Sequence, residues 1–197
     1  LAMMRCVMRK NIFMVERQFE NGEEDSSMKK ILLVVAGVGF QEKEYFDTKT
    51  ALESAGFEVV IASDVANEAV GDAGIRIIVD WVLEKVDPVQ FDGIFFIGGP
   101  GALEHLDTQE SNRILNEAMI LQKPYGAICI APRILARAHV LVGKEATGWD
   151  EDGELSQIFA QNNVGYVREP VVVDGNIITA RDRFVAKDFA QAIVHLL

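Results

Sequence analysis

Apolar residues along the chain fall into short blocks separated by charged, periodically patterned stretches. Ile31 to Ala36 is an unbroken apolar run, too short for a helix and rich in branched side chains, which predicts a strand buried on both faces. Residues 42 to 55 place Tyr45, Leu52 and Ala55 near the helical period with charges between them, and Gly56 stands where a helix C-cap belongs. Phe57 to Ala62, Ile75 to Val79 and Phe91 to Ile97 read as further strands. Asp107 with Glu110 three residues later resembles a capping box, ahead of a helix whose apolar face is Ile114, Leu115 and Ala118. Tyr125 to Ile128 is again a strand, and Pro132 opens a helix running to about Ala138. A helix near Leu155 to Asn162 precedes two valine- and isoleucine-rich runs, with Asp174-Gly175 marking a hairpin turn between them. A last helix carries Val185, Ala186, Phe189, Ala190 and Ile193 on one stripe.

Strands that alternate with amphipathic helices predict a doubly wound α/β domain, its mostly parallel sheet covered by helices on both faces. No internal repeat and no second domain is visible. Residues 29–197 are expected to form this single domain. Residues 1–28 are Met-rich and broken by charges, so they read as an N-terminal extension, disordered or not native, and not as a secretion signal. In such a sheet the loops after the strands gather at one edge, where ligands bind. Three unusual segments fall there: Gly37 to Glu44, Gly98-Gly-Pro-Gly-Ala102, and Cys129 directly after Ile128.

Composition narrows the chemistry. The chain of 197 residues is 49% apolar and 25% charged with a net charge of −11, which suits a water-soluble globule and excludes disorder, collagen and coiled coil. The acidic excess argues against a nucleic-acid partner, which Lys and Arg would have to hold. The longest apolar run, Ile31 to Phe40, is about half a membrane span, so no membrane partner is expected. The two cysteines, Cys6 and Cys129, make no disulfide framework and suit a reducing cytoplasm. Nucleotide motifs fail. Glu42 stands at the third expected glycine after Gly37-Val-Gly39, Pro100 offers no amide, and Glu145 follows Gly143-Lys144. His105, His139 and His195 lie far apart and read as surface or helix-end residues, so neither metal nor cofactor is expected.

Cys129 stands out by position. Ala127-Ile-Cys-Ile-Ala-Pro132 turns sharply from a strand into a helix, a nucleophile-elbow arrangement. Backbone amides and the positive helix end are expected to favour thiolate and lower the thiol pKa by about one unit, roughly 1.4 kcal/mol. By composition alone an isolated Cys among Ala and Ile is a small buried hydrophobe, and only its place at the elbow favours chemistry. Gly98 and Gly99 bring backbone close enough to present an amide opposite that of Ile130, to an oxyanion beside the sulfur; the same glycines also satisfy a tight turn. The proton carrier must come from the first loop, where Gln41, Glu42 and Glu44 are candidates. Glu44 is preferred because it begins a helix just behind the edge, the competing reading being a solvated first-turn glutamate.

Four segments together, Ile31-Leu-Leu-Val-Val-Ala-Gly-Val-Gly-Phe-Gln-Glu-Lys-Glu44, Gly98-Gly-Pro-Gly-Ala102, Ala127-Ile-Cys-Ile-Ala-Pro132 and Val173-Asp-Gly-Asn-Ile-Ile-Thr-Ala-Arg181, resemble the ThiJ/PfpI superfamily over residues 29–197. The resemblance implies a flavodoxin-like fold, related to class I glutamine amidotransferases, and a homodimer. It implies a reactive elbow cysteine hydrogen-bonded to a protonated glutamate, matched by Cys129 and Glu44, with oxyanion amides at Gly99 and Ile130. Gly98, Pro100, Trp149 and Arg181 would line the substrate pocket. The implied activity is that of a cofactor-free cysteine enzyme acting on 2-oxoaldehydes such as methylglyoxal or on their glycated adducts, as in glyoxalase III and deglycase members. A redox sensor or chaperone-like protein that oxidises Cys129, and a peptidase or other hydrolase, are the alternatives.

The chain also departs from the family pattern. Ile130 stands where the peptidase-like branch carries His, which places the chain nearer the branch without that residue and disfavours proteolysis. Trp149 occupies the position of a later His in the DJ-one branch, Asp182-Arg183 replaces Gly-Pro after the late Arg, and Gln41 replaces the first acidic residue of the opening loop. Amidotransferases need a downstream His-x-Glu, and His195 is followed by Leu196-Leu197.

Overall fold

Ile31 to Val35 run through the middle of a seven-stranded sheet with no accessible surface on either side. Each such aliphatic side chain contributes roughly 1.5–3 kcal/mol on leaving water, so this run anchors the domain. The structure is a computed structural model and describes residues 28–197. The extension read over residues 1–28 lies outside the described residues except for Met28.

The chain first forms β1 (Lys30–Val35), β2 (Val38–Phe40), α1 (Glu42–Ser54), β3 (Glu58–Ser63), β4 (Asn67–Gly71), β5 (Arg76–Val79), β6 (Trp81–Val82) and β7 (Gly93–Phe96). It continues through α2 (Ala102–Leu106), α3 (Gln109–Ile120), β8 (Tyr125–Ile128), α4 (Pro132–Arg137), β9 (Glu145–Ala146) and α5 (Leu155–Gln161). It ends with β10 (Gly165–Tyr166), β11 (Val171–Asp174), β12 (Ile177–Ala180) and α6 (Ala186–Leu196). The main sheet has the order β11-β12-β8-β7-β1-β3-β6, and every neighbouring pair is parallel except β11 with β12. Helices α1 and α6 pack on each other, and α3 and α4 form a second packed group. This is the flavodoxin-like doubly wound architecture.

The strand order reverses between β1 and β7, which puts the crevice for a ligand at the carboxyl ends of those two strands. The loops after β1, β7 and β8 all open there.

Several local readings change. Val79 and its neighbours form a strand, but β5 pairs with β4 in a separate three-stranded sheet with β2 and not in the main one. The helix cap falls at Thr108, whose Oγ1 accepts the Ser111 amide at 3.2 Å, while Asp107 ends α2 and pairs with Arg137. Ala55 caps α1, with Gly56 one residue beyond. Asp174 still pairs with Ile177, so the hairpin loop is Gly175-Asn176. Phe91 lies outside β7, and Val185 belongs to a short 3-10 turn before α6.

Candidate active site

Cys129 has a φ of 63°, in the left-handed region that a residue with a Cβ adopts only under local constraint. Two backbone bonds impose it. The Cys129 amide donates to Ala180 O at 2.9 Å, and the Cys129 carbonyl accepts the Trp149 amide at 2.7 Å. The turn sits between the end of β8 and the start of α4, where Pro132 occupies the first helical turn without wasting an amide. The strand therefore delivers the partly buried thiol to the sheet edge and the turn aims it outward.

The glycine loop closes on this thiol from β7. A Cβ at Gly98 would stand 2.6 Å from Cys129 Cβ and 2.9 Å from Glu44 Oε2, so the loop approaches because position 98 has no side chain. Gly99 has a φ of 127°, and a Cβ there would meet the Gln41 amide and the Gly39 carbonyl at 2.4 Å. The amides of Ile130 and Gly99 lie beside the sulfur and pull the thiol pKa down. Two donors thus converge on one atom, the arrangement that stabilises an anion forming there.

Glu44 lies on the first turn of α1 and is wholly inaccessible. Its Oε2 accepts the Gly98 amide at 3.0 Å, and its Oε1 has no hydrogen-bond partner of good geometry. Burial pushes its pKa up to about 8, and the nearby carboxylates of Asp182 and Asp72 add to the rise. The group therefore holds its proton at neutral pH. For Cys129 the sequence-based expectation has the wrong sign. Burial pushes the thiol up, the Glu44 carboxylate pushes in the same direction, and the two amides pull down without overcoming them. An elbow amide and a short helix act locally, whereas desolvation sums over every neighbour.

The DJ-1/PfpI family model matches residues 29–196. An uncharacterized protein of Methanocaldococcus jannaschii is 32% identical over 177 residues, covering 88% of this chain and 86% of its own. One from Staphylococcus aureus is 34% identical over 174 residues, covering 86% of this chain and 98% of its own. The chain belongs to the DJ-1/PfpI family. Among solved structures, a ThiJ/PfpI domain protein from Brachyspira murdochii superposes with a TM-score of 0.81 at 32% identity, over 86% of this chain and 97% of that one. Drosophila melanogaster DJ-1beta superposes with a TM-score of 0.78 at 28% identity, over 86% and 90%.

In this DJ-1/PfpI chain, Cys129, Glu44, Gly99, Ile130, Pro100 and Trp149 line a common cavity of about 300 Å³. Gly98 lies beneath it, between the thiol and the carboxyl. Arg181 does not reach it. Its Nε donates to Asp182 Oδ2 at 2.9 Å, and the side chain lines an adjoining cleft that shares Trp149 with the first. Glu42, two residues from Glu44, is spent elsewhere: its Oε1 accepts the amides of Ala73 and Ile75 at 3.1 and 2.7 Å and fixes the turn between β4 and β5. None of the three histidines lines the cavity, and His105 pairs instead with Asp64 at 2.6 Å. Among the described residues no cluster of His, Cys, Asp and Glu could hold a metal ion, and no helix is long and apolar enough to cross a membrane.

Sequence reasoning missed several contributors to the site, Glu151 on the cavity wall among them. Asp72 arrives on the β4–β5 turn and accepts Gln41 Nε2 at 2.7 Å. Phe184, 75% exposed, stands at the rim after Asp182. Arg133 is buried behind Trp149. Only Arg133 left a signal, as a lone charge in the apolar run Pro132-Arg-Ile-Leu-Ala136.

Proposed function

We propose that this chain is a cofactor-free cysteine enzyme acting on reactive 2-oxoaldehydes or their adducts. The observation that carries this reading is a single sulfur with two backbone amides and the wholly buried Glu44 carboxyl gathered around it. That set suits a carbonyl substrate, whose oxygen becomes negative as the sulfur adds to carbon.

The route needs only these groups. Starting from the singly ionised pair, the Cys129 thiolate bonds to the aldehyde carbon of methylglyoxal and Glu44 gives its proton to the oxyanion held by the Gly99 and Ile130 amides, which leaves a hemithioacetal and a Glu44 carboxylate. Glu44 then moves a proton from the former aldehyde carbon to the neighbouring carbonyl carbon through an enediol. The first carbon is oxidised to a thioester and the second reduced to an alcohol, so no external oxidant enters. Water cleaves the thioester, releasing lactate and restoring the thiol. Family membership supports extending the reading to a homodimer of the 29–197 domain, working in the cytoplasm.

The test compares the full chain with Cys129→Ala in methylglyoxal, following loss of dicarbonyl and appearance of lactate. Turnover that vanishes with the cysteine is expected. Absence of turnover in the parent, with ready formation of a sulfinate at Cys129 under peroxide, would replace this reading with that of a redox sensor.

A further inference from the structure

Arg133 has the largest side chain among the fully buried residues, at 2% exposure. A buried charge is costly unless its partners are in place, so where those partners lie carries information. All of them come from one irregular segment, residues 149–154, that joins β9 to α5. Arg133 Nη2 donates to Trp149 O at 3.2 Å and to Asp152 Oδ1 at 2.6 Å, and Nη1 lies 3.6 Å from Glu154 Oε2. The guanidinium carbon sits 5.5 Å from the centroid of the Trp149 ring, within cation–π range. The same bond to Arg133 holds the Asp152 carboxyl below the usual carboxylate range.

Two further facts tie this cluster to the site. Arg133 stands four residues after Cys129, on the first turn of α4. The segment it grips carries Trp149 and Glu151 into the cysteine cavity. We propose that Arg133 is a positioning residue that locks the Trp149 wall of the cavity to the helix turn bearing the nucleophile, and so sets the size of molecule that reaches the sulfur. The proposal rests on the site around Cys129 and not on which carbonyl compound reacts there. Lysine cannot substitute, because one ammonium cannot bridge a carbonyl and two carboxylates while stacking on an indole.

The partner carboxylates are partly exposed, at 31% and 69%, so they hydrate when the arginine is replaced and the fold has no orphaned buried acid. In the full chain, Cys6→Ser and Trp81→Phe leave Cys129 as the sole thiol and Trp149 as the sole tryptophan. Arg133→Met, Arg133→Lys and Asp152→Asn are then compared in this background. Two probes are read: acrylamide quenching of Trp149, and alkylation of Cys129 by iodoacetamide against the bulkier N-phenylmaleimide.

Arg133→Met is expected to raise the quenching constant about twofold or more and the bulky-to-small rate ratio about fivefold or more, with lysine recovering less than half of either. Asp152→Asn is expected to move both in the same direction by less. Where methylglyoxal is turned over, KM rises more than kcat falls. Unchanged quenching and rate ratio in folded Arg133→Met, or full recovery by lysine, would overturn the proposal. Should Arg133→Met fail to fold, unchanged values in Asp152→Asn overturn it alone. Neither probe requires turnover, so absence of dicarbonyl chemistry and failure of this inference are told apart.

Discussion

Glu44 pushes the pKa of the Cys129 thiol up, while the thiol pulls the Glu44 carboxyl down against a burial that drives it to about 8. The two groups therefore titrate as a pair, and one negative charge is as much as their shared surroundings accept near neutral pH. When Glu44 keeps its proton, its repulsion of a thiolate disappears and it becomes a donor to that thiolate. Reactivity at the elbow thus depends on which partner holds the proton and not on the cysteine alone.

This dependence separates binding from proton transfer. In Glu44→Gln the side chain still accepts the Gly98 amide but carries no exchangeable acid proton. Dicarbonyl turnover is expected to fall by about 10²- to 10⁴-fold, the usual worth of a positioned general acid–base group. Alkylation of Cys129 by iodoacetamide is expected to persist. Steady-state kinetics and peptide mass mapping check both halves, and loss of alkylation along with turnover would mean that the substitution had disturbed the elbow itself.

The same carboxyl imposes a pH dependence on stability. Its pKa is near 4.5 in the unfolded chain and about 8 in the fold, so between these values the native state binds more protons. Stability from this source is complete below about pH 4.5 and is lost as pH rises through 8, by on the order of a few kcal/mol. Urea midpoints measured from pH 5 to 9 are expected to fall in the parent. Glu44→Gln should flatten that decline. A parent profile with no decline would show that Glu44 is ionised in the fold.

Gly98 tests the close approach directly. In Gly98→Ala the new Cβ meets Cys129 Cβ, Ile128 O and Glu44 Oε2, all within 2.9 Å. Neither backbone nor elbow can yield cheaply, so a loss of about 1–3 kcal/mol is expected, as for overpacking elsewhere. Alkylation of Cys129 should slow together with the drop in melting temperature. A stable variant with unaltered thiol reactivity would contradict the packing described.

Glu42 offers the contrasting acid. Glu42→Ala leaves the amides of Ala73 and Ile75 without their acceptor. Destabilisation of about 1–3 kcal/mol is expected. Amide exchange should quicken in residues 72–79, while Cys129 alkylation stays within about threefold of the parent. Abolished turnover at preserved stability would instead bring Glu42 into the chemistry.

The sequence by itself determined the framework. Ile31 to Ala36 and Tyr125 to Ile128 are continuous apolar runs bounded by turn residues, and such runs fold as central parallel strands in nearly any context. The break after Ile128 was equally local, and it placed Cys129 at the sheet edge. The small sheet was hidden because Asn67-Glu-Ala-Val-Gly71 has too little apolar alternation to read as a strand. Its turn into β5 is held by Glu42, far away in sequence.

Only the tertiary structure decided between Glu42 and Glu44. Two glutamates in one helical turn face opposite fates, one capping a hairpin and the other buried beside a thiol, because neighbours more than 25 residues away fill each side of α1. The sign of the Cys129 shift was settled the same way. Helix ends and amides can be read from adjacent residues, but desolvation is a sum over all that packs around the sulfur, and that sum exists only once the chain has folded.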